Sequence, residues 1–379
     1  MAKARSERAR VAALLRGYEH KILVLQGGGA LGAYQAGVYD ALAAAGIAPD
    51  WITGVSIGAV NAALIAGNPP EQRVAQLERF WQLVSSGVPF VPPASFNPLR
   101  PALNRLSAVA SATFGVPGLF APRVPPPLLA PDGSVDALSI YEGSPLARTL
   151  EELVDFDMIN RKEVRLSIGA VNVLTGNSVY FDNHERSIGP EHVLASAALP
   201  PGLPPVMIDG EAYWDGGMVS NSPLWYVLDD SPRMSALILQ VDLFSARGEM
   251  PQNLDQVLER AKDIQYSSKT RFNTARVKEL EELRLALHRV LRRLPQKMQR
   301  DPDVQRLTQV CNVGNVTIAH LINRRNAHSA SFKDYEFSRA TMLELWASGR
   351  DDVRQTIAHP ELLKATEVER GVRIYDLAR

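Results

Sequence analysis

The sequence predicts an α/β protein with a mostly parallel central sheet flanked by helices, followed by a helical C-terminal region. Three observations carry that expectation. Two short apolar runs each end in a tight glycine turn and pass straight into a helical pattern. Further apolar runs of strand length recur at Arg165–Asn172, 178–181 and Ala236–Asp242. From 254 to about 307, glycine disappears and charged residues alternate with leucine and valine. Strand, turn and helix repeated in that order is how a parallel sheet is wound.

The first strand, 21–25, is apolar enough to be buried on both faces. Ala33–Ala45 is alanine-rich and reads as a helix stopped by Gly46. Trp51–Val55 is the second strand, and 58–67 the second helix, closed by Gly67-Asn68-Pro69-Pro70. Between Pro89 and Pro131 lie 11 of the 26 prolines, a density that argues against regular helix and central strand. Phenylalanines and leucines are interleaved there, so 88–131 is expected to be an irregular insertion or lid packed on the surface in preference to a disordered linker. After residue 244, Val277, Leu280, Leu283, Leu287, Val290 or Leu291, and Leu294 recur at helical spacing. The expected organisation is a basic arm over 1–19, an α/β unit over 20–247 that includes the 88–131 insertion, and a helical region over 248–379.

Composition narrows the function. Forty-one basic residues balance forty-one acidic ones across 379 residues, which argues against a nucleic-acid binder held by bulk charge. The single cysteine, Cys311, leaves no disulfide framework and no thiolate metal cluster, and it points to a reducing compartment. The apolar run 11–15 behind the basic start is too short for a signal peptide. The long uncharged stretches 22–39 and 51–70 are interrupted by Gln26, Gly27, Gly28, Gly29, Ser56, Asn61 and Pro69. Such backbone suits a protein core and not lipid, so a cytoplasmic protein is expected, with peripheral membrane contact as an addition.

Gly54-Val55-Ser56-Ile57-Gly58 closes the second strand and opens a helix. That is the G-x-S-x-G nucleophile elbow in its proper context, against a simpler reading of Ser56 as a helix cap. The sharp turn exposes Ser56, and the glycines make room where a Cβ would clash. Gly27-Gly28-Gly29-Ala30-Leu31-Gly32 follows the first strand, and its successive N–H groups suit an oxyanion. It also satisfies the dinucleotide fingerprint, but the second strand ends in Gly54-Val55-Ser56 where that fold wants an acid. A nucleophile needs a base. None of the seven histidines lies in a glycine-rich turn, whereas Asp215 does, in Trp214-Asp215-Gly216-Gly217; its plainer reading is a hairpin turn.

Gly-Gly-Gly-x-x-Gly, G-x-S-x-G and a distant Asp-Gly-Gly, in that order, resemble the patatin-like phospholipases. Ala195-Ser196-Ala197-Ala198-Leu199-Pro200 is similar to the family's Ala-Ser-x-x-x-Pro segment, and Asn221-Ser222-Pro223 to its Asn-x-Pro. The tail from 320 to 363, with Lys333-Asp334-Tyr335-Glu336-Phe337-Ser338-Arg339, resembles a C-terminal domain of unknown function in one bacterial subgroup. The resemblance implies a three-layer patatin-like fold and a Ser56–Asp215 dyad. It also implies an oxyanion hole from Gly27, Gly28 and Gly29, supported by Gly32, Gly54, Gly58, Gly216, Gly217, Ser196, Pro200, Asn221 and Pro223. Many members carry Lys or Arg where Leu31 stands, so no anion-binding role is expected at that position.

An aspartate near its ordinary pKa of ~3.9 is a weak base for a serine hydroxyl. Either burial raises Asp215, or geometry and the oxyanion hole compensate. The implied activity is hydrolysis of lipid acyl esters of the phospholipase A or lysophospholipase kind, without metal or cofactor. Acyl transfer or thioester hydrolysis on the same dyad, and a non-catalytic lipid-binding or interaction protein, are the alternatives. Arg284, Arg289, Arg292, Arg293, Lys297 and Arg300 form a face without acids that reads either as an anionic-membrane contact or as a solvated bundle face. That face is also open to an oligomer contact.

Overall fold

The structure is a computed structural model that describes residues 2–92, 98–230, 235–267, 270–311, 315–324, 332–359, 363–365 and 371–376. Its strands are β1 (His20–Leu25), β2 (Trp51–Val55), β3 (Ala121–Pro122), β4 (Tyr141–Glu142), β5 (Arg165–Asn172), β6 (Ser178–Asp182), β7 (Val206–Ile208), β8 (Glu211–Asp215), β9 (Ala236–Asp242), β10 (Asn315–Ile322) and β11 (Gly371–Asp376). Nine of them form one sheet in the order β11-β10-β9-β1-β2-β5-β8-β7, with β6 also on β5; β3 and β4 pair by themselves. From β11 to β5 every pairing is parallel, whereas β6, β7 and β8 are antiparallel to their neighbours.

The period-two alternation of a strand splits the central residues between two apolar clusters. Leu23 and Leu25 of β1, with Leu237, Leu239 and Val241 of β9, face the larger cluster. Ile22, Val24 and Ile238 face the smaller one, together with Trp51, Leu224 and Val227. A strand buried on both faces needs apolar residues at every position, which is what β1 has from Ile22 to Leu25. The helices that cover the sheet begin with α1 (Ala2–Leu15), α2 (Ala33–Ala45), α3 (Ile57–Ala66) and α4 (Arg73–Val84). The expected basic arm is thus largely helix α1, and Val11 and Leu15 are buried in the larger cluster.

The proline-rich segment departs from its expectation. It contains α5 (Arg100–Phe114), a regular helix of 15 residues. The prolines flank this helix: Pro101 sits in its first turn, where the missing N–H has no intrahelical partner to lose, and Pro117 follows its end. Proline density over the whole segment therefore hid a proline-free stretch within it. Leu119 is buried against the core, whereas Phe114, Leu128 and Leu129 are exposed. Phe96 lies outside the described residues.

The chain continues through α6 (Ser144–Leu153), α7 (Phe156–Asn160), α8 (Pro190–Ala197), α9 (Leu224–Asp230), α10 (Leu254–Tyr266), α11 (Thr270–Leu291), α12 (Gln296–Gln299), α13 (Pro302–Cys311) and α14 (Arg339–Ala358). The C-terminal region is mainly helical, yet it also supplies β10 and β11, so one sheet runs across position 247. Helix α14 lies against α2 at backbone distance. A Cβ on Gly37 would come within 2.0 Å of the Trp346 carbonyl oxygen, and one on Gly349 within 2.2 Å of that of Tyr34. Tyr34 donates to Asp352 at 2.7 Å and Trp346 to Asp40 at 2.9 Å, which fixes the pair. Helix α11 ends at Leu291, and Pro295 caps α12, so the expected continuous basic face is broken between the two. The side chains of Val277 and Leu280 lie outside the described residues.

Candidate active site

Strand β2 ends at Val55 and α3 begins at Ile57, which leaves Ser56 alone to turn the chain. It does so at φ 56° and ψ −126°, a conformation that side chains other than hydrogen rarely adopt. Two glycines permit the turn: a Cβ on Gly54 would lie 2.3 Å from the Gly58 carbonyl oxygen, and one on Gly58 2.4 Å from that of Leu25. The Ser56 N–H donates to Ser196 Oγ at 3.0 Å, and Ser196 Oγ donates to the Gly169 carbonyl at 2.6 Å. Ser196 therefore ties the strained elbow to β5.

Strand β5 also aligns Ser56 with Asp215. Val55 stands opposite Gly169 and Asp215 opposite Ala170, one residue further along the same strand. Because β6 occupies the other edge of β5 over these positions, β8 continues along the edge that β2 has left. Ser56, the next residue after Val55, meets Asp215 there, near enough for its hydroxyl to stabilise the charged carboxylate. Gly217 N–H donates to Asp215 Oδ1 at 2.7 Å, and the Asp215 N–H donates to the Ala198 carbonyl at 3.0 Å. At Gly216 a Cβ would fall 2.6 Å from the Gly169 carbonyl oxygen, so only glycine lets this loop lie so close.

Asp215 is 2% exposed. Burial pushes its carboxyl up to about 6, against the opposing pull of the Ser56 and Gly217 hydrogen bonds. Of the two features that would make an aspartate a better base, Asp215 has burial. The Asp-Gly hairpin reading also has substance, since the same carboxylate caps the short turn Gly216–Met218.

The glycine loop divides into an anchor and a free part. Gly27 N–H donates to the Asn221 carbonyl at 3.2 Å, and Asn221 Nδ2 donates to the Gly27 carbonyl at 3.1 Å and to that of Tyr266 at 2.8 Å. That commitment removes Gly27 from the three expected oxyanion donors. Among the described residues the N–H groups of Gly28 and Gly29 have no acceptor. Gly32 packs where a Cβ would meet Ile57 at 2.6 Å, and Leu31 is part of the core. Pro223 immediately precedes α9 and accepts from Val227 N–H, and Pro200 follows Leu199 in the wall of the cleft.

Ser56, Asp215, Gly28 and Gly29 open into a cleft of about 920 Å³, counted to its solvent-filled mouth. Its walls are mostly apolar: Leu119 and Phe120 come from the proline-rich segment, Leu199 and Leu203 follow α8, and Phe244 follows β9. Among the described residues the charged side chains in the lining are Asp215 and Asp334, and no histidine is present. No group of three or more His, Cys, Asp or Glu among them is arranged to hold a metal ion. No described helix is long and apolar enough to cross a membrane. Tyr266, Asp334, Tyr335 and Phe337 also line the cleft, and nothing in their local sequence spoke for a place there. The only pointer was the Lys-Asp-Tyr-Glu-Phe-Ser-Arg run.

Comparison with protein families matches residues 23–228 to a patatin-like phospholipase model. Residues 264–369 match a second family of unknown function, described as patatin phospholipase. No curated protein sequence matches the chain. Among solved structures, VipD from Legionella pneumophila aligns at 15% identity and TM-score 0.38, over 90% of this chain and 67% of that one. Human GIVD cytosolic phospholipase A2 aligns at 12% identity and TM-score 0.39, over 95% and 67%. Its complex with methyl gamma-linolenyl fluorophosphonate aligns at 16% identity and TM-score 0.33, over 65% and 46%.

Proposed function

The chain belongs to the patatin-like phospholipase family, and from that premise we propose that it hydrolyses lipid acyl esters through a Ser56–Asp215 dyad. The observation that carries the proposal is a strained, glycine-bounded serine set against a buried aspartate at the floor of an apolar cleft. Asp215 takes the Ser56 proton as Oγ attacks the acyl carbonyl. The tetrahedral oxyanion is met by the N–H groups of Gly28 and Gly29. The intermediate collapses, the C–O bond to the alcohol breaks, and Asp215 returns its proton to the departing alkoxide. Water, deprotonated by Asp215, then attacks the acyl-serine; the acid leaves and Ser56 regains its proton.

Several features support this division of labour. A base works best with a pKa near the operating pH, and Asp215 at about 6 comes close to it. Ser56 also lies at the N-terminus of α3, where the helix dipole favours developing negative charge. An acyl chain fits the apolar walls, which suits phospholipids and lysophospholipids as substrates. The test is hydrolysis of short-chain and phospholipid esters by wild type, Ser56→Ala and Asp215→Asn, with labelling by a serine-directed fluorophosphonate. Both variants are expected to lose activity, and Ser56→Ala to lose the label. Full activity in Ser56→Ala would remove the mechanism.

A further inference from the structure

A turn from the C-terminal region reaches the cleft. Lys333–Tyr335 forms a single 3₁₀ turn between β10 and α14. Its backbone meets the glycine loop directly: a Cβ on Gly29 would lie 2.3 Å from the Asp334 carbonyl oxygen, and Gly29 itself has φ +55°. The residue carrying one of the two free N–H groups of the loop is therefore seated against Asp334.

Charges hold this turn in place. Lys333, only 8% exposed, places Nζ 2.5 Å from Asp263 and 3.2 Å from Glu259, both on α10. Lys262, also on α10, reaches Asp334 at 2.7 Å. A buried ammonium is tolerated only when paired, so these contacts define where the turn sits. On its other side Arg339 N–H donates to the Val88 carbonyl at 3.0 Å, and the Arg339 side chain to Ser85 Oγ at 2.7 Å. Beyond the clamp, Tyr335 and Phe337 face the cleft. Burial pushes the Tyr335 phenol up to about 12, which keeps it neutral.

We propose that the turn 333–337 is a working wall of the active site. Asp334 is a positioning residue for the Gly29 N–H, and Tyr335 and Phe337 set the acyl chains the cleft accepts. This gives the C-terminal region a part in the reaction, and it rests on the Ser56 reading.

The experiment uses the full chain and p-nitrophenyl esters from butyrate to palmitate. Breaking the Lys262–Asp334 pair with Lys262→Met is expected to lower kcat about tenfold at nearly constant KM, because displaced oxyanion donors act on the transition state. Lys262→Arg, which keeps the charge, is expected to restore most of the loss. Tyr335→Ala and Phe337→Ala are expected to shift the preferred chain toward palmitate. Thermal melts within about 3 °C of wild type show that the variants are folded. Folded Lys262→Met with wild-type kcat, together with an unchanged chain-length profile in both aromatic variants, would overturn the wall and leave the dyad standing. Full activity in Ser56→Ala would take down both.

Discussion

The first sixty residues and the C-terminal region build the same sheet by opposite means. Over 22–39 and 51–70 the chain is glycine-rich and carries no charged residue, and backbone approaches backbone so closely that a single methyl group would collide. Around α10 and the 333–337 turn it is charged, and partly buried ion pairs set the geometry. The contrast separates two tasks. On the proposed mechanism, strained backbone aims a nucleophile and N–H donors, because fixed dipoles need no reorganisation during the reaction. Long charged side chains hold a wall, because they span distances that backbone contacts cannot.

The largest effect is expected on the glycine side. Gly54→Ala places a Cβ 2.3 Å from the Gly58 carbonyl oxygen, so the elbow must deform. Activity should fall by at least about 10², as expected when reacting groups move by an ångström. Esterase assays alongside melting curves would check it. Near-normal rates in the Gly54→Ala variant would show that the elbow is less constrained than its packing requires.

Asp215→Asn should show the same strain as a trade between activity and stability. A carboxyl whose folded pKa of about 6 lies above its ordinary value of 3.8 binds protons more tightly in the native state. It therefore lowers stability at neutral pH, and that penalty vanishes as pH falls from about 6 toward 3.8. The inactive variant should be more stable than wild type at pH 7.5, by at most about 3 kcal/mol, with the difference closing near pH 4. Equal melting curves at pH 7.5 would contradict the buried, charged aspartate.

Ser196→Ala should have an intermediate effect. It removes the acceptor of the Ser56 N–H and the bond to Gly169, costing about 1–3 kcal/mol for an orphaned buried donor. A fall in kcat larger than the fall in stability would place Ser196 in the aiming of Ser56.

The smallest expected effect concerns the C-terminal charges. Arg289, Arg292 and Arg293 are exposed, but the turn after Leu291 divides their face. If they touch anionic lipid, reversing all three should weaken binding to phosphatidylserine-containing liposomes while leaving the hydrolysis of short-chain esters at the wild-type rate. Unchanged binding would assign the face to solvent.

The same contrast explains what was legible in the sequence. β1, α2, β2 and α3 could be read because glycines punctuate them locally: Gly46 ends α2 in a left-handed conformation, and Gly54 and Gly58 bracket the elbow. The run Asn315–Ile322 has the apolar pattern of a buried strand, but it sits in a region whose composition reads as helical. Helix α5 was hidden by prolines that turn out to flank it. The meeting of Gly29 with Asp334, and the Gly27–Asn221 hydrogen bonds that commit one amide of the loop, join residues far apart in the chain. No local pattern records such contacts.

The central claim is that buried Asp215 acts as the base for Ser56. Its most direct test is the pH dependence of kcat/KM for a p-nitrophenyl ester. The group is active as a carboxylate, so the rate should hold above about pH 6 and fall about tenfold per unit below it. A profile that stays flat to about pH 4.5, or one whose inflection persists in Asp215→Asn, would contradict it.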